Sequence, residues 1–77
     1  MDTQDANKNQ MQTMRENFKL LREGKKWSFE DLSQISGINA NTLIGIENGE
    51  DFEIGFLFDL CRIYAIKPQK VFLLLEI

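Results

Sequence analysis

Apolar positions recur along this chain every three to four residues, and five segments carry the pattern. Met11, Met14, Phe18 and Leu21 fall on one stripe of a helix that begins near Met11, with Arg15, Lys19 and Arg22 elsewhere on the cylinder. Gly24 closes that helix, and Lys25 and Lys26 suit its negative C-terminal end. A second helix is predicted over Phe29–Ser36, with Leu32 and Ile35 as an apolar i, i+3 pair. Ser28 is its N-cap, and Asp31 stands at the capping-box position. Gly37 comes where a chain leaving a helix commonly needs positive φ. Asn39 then caps a third helix over Ala40–Asn48, in which Leu43 and Ile46 repeat the i, i+3 spacing before Asn48-Gly49 stops it. A fourth helix runs from Ile54 to Ala65, with Leu57, Leu60, Cys61 and Tyr64 on one face. Pro68 suits the first turn of a fifth, through Leu75.

Trp27 to Gly49 therefore reads as two short helices joined by a tight turn, the helix-turn-helix pattern. Helices this short cannot bury their faces against each other alone, so the rest of the chain is expected to pack around them. Ser33 is small where the second helix faces the third and allows close approach, while Trp27 is expected as a core anchor. Residues 1–10 are polar and without periodicity, and are expected as a flexible tail before a domain over residues 11–77. Val71 to Leu75 is apolar almost all round. A terminal helix of so small a domain cannot bury every side internally, so Phe72, Leu75 and Ile77 are expected to meet a second subunit or another protein.

Composition narrows the function. Seventy-seven residues make one small domain, near the lower limit for a self-supporting core. The single Cys61 excludes an internal disulfide, and with no His in the chain it forms no metal-ligand cluster and has no base to activate it as a nucleophile. No Gly-rich phosphate loop appears either, so neither an enzyme, a cofactor nor a small-molecule substrate is expected. No apolar run reaches the ~18–20 residues of a membrane span, and the cysteine usage fits a reducing cytoplasm. Net charge is −3, and its distribution matters more than its total. Residues 1–26 hold six Lys/Arg against four Asp/Glu, whereas Trp27 to Cys61 holds no Lys or Arg and seven acids.

On the residues "LLREGKKWSFEDLSQISGINANTLIGIENGE" and "LFDLCRIYAIKPQKVFLL", the chain resembles the Cro/repressor-type (XRE) helix-turn-helix regulators of phages and bacteria. The resemblance covers nearly everything after Met11. It implies an all-α, five-helix, lambda-repressor-like domain with helices two and three as the helix-turn-helix. It also implies a small regulator of transcription, in a phage, prophage or bacterial mobile element, that binds operator DNA.

Carried over residue by residue, the family's working surface falls on Phe29, Asn39, Ala40, Asn41, Thr42, Ile44, Gly45 and Asn48. Ala40, Asn41 and Gly45 take the base-reading positions; an Asn can pair bidentately with adenine, whereas an Ala can at most touch a thymine methyl. Gly45 reads nothing and costs a helix interior about 1 kcal/mol relative to Ala. Where the family commonly has a phosphate-binding Gln there is Phe29, and where it often has Lys or Arg there are Glu50, Asp51, Phe52 and Glu53. Arg22, Lys25 and Lys26 remain to meet phosphates at the rim. Arg22 also matches a family position that is salt-bridged to the end of the third helix, here Glu47. Two functions stay open. One is operator recognition. The other is an antirepressor or modulator, with Phe29, Ile44 and Phe52 as an apolar centre and Glu50, Asp51 and Glu53 as an acidic rim against a repressor protein.

Overall fold

The structure is a computed structural model and describes residues 3–73, with side chains from residue 10 onward. Within that range the chain is all-helical: α1 (Thr3–Gly24), α2 (Phe29–Ser36), α3 (Ala40–Asn48), α4 (Ile54–Ile63) and a 3-10 turn over Pro68–Lys70. None of these helices is long and apolar enough to cross a membrane.

Local signals fix the ends of α2 and α3. Ser28 and Asp31 close a reciprocal capping box, each side chain bonding the other's backbone N–H at 3.0 Å. Gly37 leaves α2 at φ +76°, and its N–H donates to the Ser33 carbonyl. Asn39 Oδ1 then accepts from the Asn41 N–H at 2.8 Å, so the chain restarts as helix within three residues. Gly49, at φ +105°, ends α3 in the same left-handed conformation. The turn between α2 and α3 is tied from both sides, since Ser33 Oγ donates to the Ile38 carbonyl and Ser36 Oγ accepts from its N–H.

Met14 and Phe18 from α1 meet Leu32, Ile38, Leu43 and Ile46 from the α2–α3 unit, and Leu57, Leu60 and Cys61 from α4 close the core. Tyr64 stacks between Phe18 and Trp27, with ring centroids 6.1 and 6.0 Å away. Its hydroxyl is buried with no hydrogen-bond partner among the described residues, and burial pushes its pKa up. Trp27 packs half-buried against this core.

Several expectations are corrected. The opening segment, expected as a tail through Gln10, is helical from Thr3. Once Met14 and Phe18 pin the middle of α1, extending it backward adds one hydrogen bond per residue without a new nucleus. Arg15 and Asn17, expected on the polar side of α1 or given no role, are both buried. Ile35 is 50% exposed, because α2 turns Leu32 inward and Ile35 away from it. Gly24 does end α1, and the left-handed residue that follows is Lys26, at φ +59°.

Of the helix expected over Pro68–Leu75, the described part is a single 3-10 turn ending at Lys70, followed by turn and bend through Leu73; Leu74 and Leu75 lie outside the described residues. Asn17 explains the stop. Its Nδ2 donates to the carbonyls of Val71 (2.6 Å) and Leu73 (2.7 Å), which a continuing helix would have kept for itself. Of the expected dimer face, Phe72 is half-buried against the core, while Leu75 and Ile77 lie outside the described residues.

Candidate interaction surface

Capping of α2 and α3 creates an open cleft where the helices diverge. It encloses about 390 Å³ and is lined by Glu30, Ser33, Gln34, Asn39, Ala40 and Asn41. The N-terminal end of α3 forms one wall, so backbone N–H groups and the positive end of a helix dipole face outward there. Gln34, Asn39 and Asn41 are exposed; Asn39 caps the Asn41 backbone N–H, and no bond among the described residues holds the Asn41 side-chain amide. The lining is thus mostly neutral amide and hydroxyl, with Glu30 as its one charge.

The remaining expected residues divide. Ala40, Thr42 and Ile44 are half-buried along α3, and Asn48 is exposed at its end. Gly45 is buried, a correction to its place on the outer surface. The Glu50 side chain folds back over it, and a Cβ at position 45 would collide with the Glu50 carboxylate. Phe29 and Phe52 also lean inward, packed against the core. Each lies under a guanidinium, Arg22 at 4.1 Å from the Phe29 centroid and Arg15 at 5.8 Å from that of Phe52.

These two arginines govern the electrostatics of the surface. Arg22 meets Glu47 bidentately, Nε to Oε2 at 2.8 Å and Nη2 to Oε1 at 3.1 Å, and its Nη1 donates to the Trp27 carbonyl at 3.0 Å. Only 12% of the Arg22 side chain and 7% of Glu47 remain exposed. The hydrogen bond to Glu47 holds the Arg22 pKa above its ordinary value against the opposing effect of burial. Arg15 donates to the carbonyls of Ile46 and Glu50, so its charge sits at the negative C-terminal end of α3. Neither arginine points to solvent. The cations left beside α2 are Lys25, whose Nζ lies over the Trp27 ring, and Lys26. Glu30, Asp31, Glu50, Asp51 and Glu53 are all exposed.

Sequence reasoning pointed to Asn39, Ala40 and Asn41, because caps and turns are local signals, but gave Glu30 and Gln34 no place in the site and read Ser33 only as a packing residue. It missed Arg15, for which the only available hint was a cation in register with the α1 core stripe, one residue after Met14. Compared with known proteins, the chain matches no family model, no curated protein and no solved structure.

Proposed function

We propose that this chain is a small transcriptional regulator of the Cro/repressor type. In this reading α2 and α3 are the helix-turn-helix, and the exposed N-terminal end of α3 enters the major groove of an operator. One observation carries it: the side-chain amides of Gln34 and Asn41 stand exposed and unpaired among the described residues, beside the Asn39 that caps α3. Amides are the side chains that pair bidentately with adenine in the major groove. Lys25 and Lys26, just before the N-terminus of α2, each meet a flanking phosphate. Arg22 and Glu47 serve to hold α1 against the end of α3, not to touch DNA.

A second reading rests on a specific observation as well. With Arg15 and Arg22 turned inward, the loop after α3 presents Glu50, Asp51 and Glu53 with no exposed cation among them. Such a rim complements a basic protein surface, as an antirepressor needs. The half-buried Ile44 would then be its apolar centre.

Substitution separates the two. An operator selected from random duplexes is expected to lose about 1–3 kcal/mol of affinity on Asn41→Ala and to tolerate any base at one position. An unchanged affinity for the selected operator would overturn the DNA reading at its central residue. In the protein reading, Ile44→Asp removes the repressor complex and Asn41→Ala leaves it intact.

A further inference from the structure

Gly45 follows Asn41 by four residues, so it stands one turn further along α3 and about 40° around it, on the side away from Leu43 and Ile46. In the DNA-binding reading that side faces the groove. The outward space at Gly45 is filled by another residue. The three heavy atoms nearest to where a Cβ would stand there all belong to the Glu50 side chain, and its Oε2 is the nearest. A carboxylate from the following loop thus takes the place of a side chain at position 45. The backbone beneath it is fastened on both sides. The Glu50 N–H donates to the Gly45 carbonyl at 2.9 Å, and the Glu50 carbonyl accepts from Arg15 Nη1 at 3.1 Å. The same buried guanidinium holds the Ile46 carbonyl, so Arg15 ties the loop to the last turn of α3. Glu50 is exposed, and no hydrogen bond or ion pair among the described residues engages its carboxylate.

We propose that Glu50 is a base reader: its carboxylate, seated on Gly45, accepts a hydrogen bond from the N4 amino group of a cytosine in the major groove. This role rests on the DNA-binding reading of α3 and adds to it a reader from outside that helix. An ionised carboxylate only accepts, so it needs a base edge that presents a donor. Guanine O6 and N7 and thymine O4 are acceptors and repel it, and adenine sets its N7 acceptor beside its amino group. Cytosine N4 offers a donor without that conflict. Against any other base the charge is left unpaired, which penalises wrong sequences as well as rewarding the right one. Four residues span about 6 Å along α3, and bases on one strand are about 3.4 Å apart. The cytosine is therefore expected within two base pairs of the adenine that Asn41 reads. A carboxylate near phosphates lowers affinity for every duplex, so Glu50 exchanges affinity for discrimination.

Selection of bound sequences from a random duplex pool, run in parallel on the full chain and its variants, is the test. The position read by Asn41 is the one that Asn41→Ala relaxes. Near it the wild-type chain is expected to select a cytosine whose replacement weakens binding about tenfold. Glu50→Gln keeps the shape and supplies an amide, so the preference at that one position is expected to move from cytosine to adenine. Gly45→Ala displaces the carboxylate and is expected to lose the cytosine preference while keeping the adenine, with helical circular dichroism intact. Glu50→Gln and Gly45→Ala chains that bind more tightly with every base preference unchanged would show only a repulsive surface charge. That result overturns the role of Glu50 and leaves the DNA-binding reading standing. A wild-type chain that selects no sequence overturns the DNA-binding reading itself, and the role of Glu50 with it.

Discussion

Gly45 shows how one residue can look like a defect and be a seat. It lies inside α3, where a glycine costs about 1 kcal/mol relative to alanine, and Glu50 folds over it. What a new Cβ would strike is the far end of an exposed, flexible side chain and not backbone. Gly45→Ala is therefore expected to displace the Glu50 carboxylate and stabilise the domain by up to about 1 kcal/mol in urea unfolding. A loss of stability would mean that the Glu50 side chain cannot move. The sequence shows the glycine but not its cover, because the carboxylate returns from the loop beyond the left-handed turn at Gly49. Arg15 was hidden for a similar reason. Its acceptors, the carbonyls of Ile46 and Glu50, lie more than thirty residues away, and a long cation on a helix ordinarily reads as solvated. Arg22 and Glu47 were visible only through resemblance, since no periodicity links residues so far apart.

At the level of elements, what is local was legible and what is not local was not. Ser28, Asp31, Gly37, Asn39 and Gly49 act within a few residues of themselves, and the bounds of α2 and α3 follow from them. The C-terminal segment reads as a helix because Val71 to Leu75 is strongly apolar, but the residue that ends the helical turn is Asn17, on α1. Its amide holds two carbonyls that would otherwise lack these partners in a partly dry environment. Asn17→Ala is expected to cost about 1–3 kcal/mol, seen as a lower urea midpoint at unchanged slope. Asn17→Asp should cost more, because a carboxylate has no N–H to offer and faces two carbonyl oxygens. Equal stability of all three chains would show that the C-terminal segment does not depend on this clasp. The exposed side of α4 belongs to the same lesson. The pattern of Leu57, Leu60 and Cys61 locates the buried side of that helix, whereas the exposure of Ile54 and Phe58 appears only once neighbouring elements are in place.

For the molecule as a whole, charge placement outweighs charge count. The sequence shows a central stretch without cations and suggests Arg22, Lys25 and Lys26 as the supply at its border. In the folded chain Arg22 is neutralised by Glu47, and Arg15 is spent on the end of α3, so only the two lysines face outward there. Under the proposed DNA-binding reading, recognition draws more on amide contacts to bases than on phosphate neutralisation. The salt dependence of binding reports that balance directly, at about −0.9 in log–log slope per phosphate neutralised on duplex DNA. Titration of a random-sequence duplex pool, beginning at about 50 mM salt where the electrostatic term is strong, is the most direct measurement. Binding with a slope near −2, one unit for each of Lys25 and Lys26, is the result expected. No binding at the lowest salt would contradict direct DNA recognition and leave the acidic rim, and a basic protein partner, as the working surface.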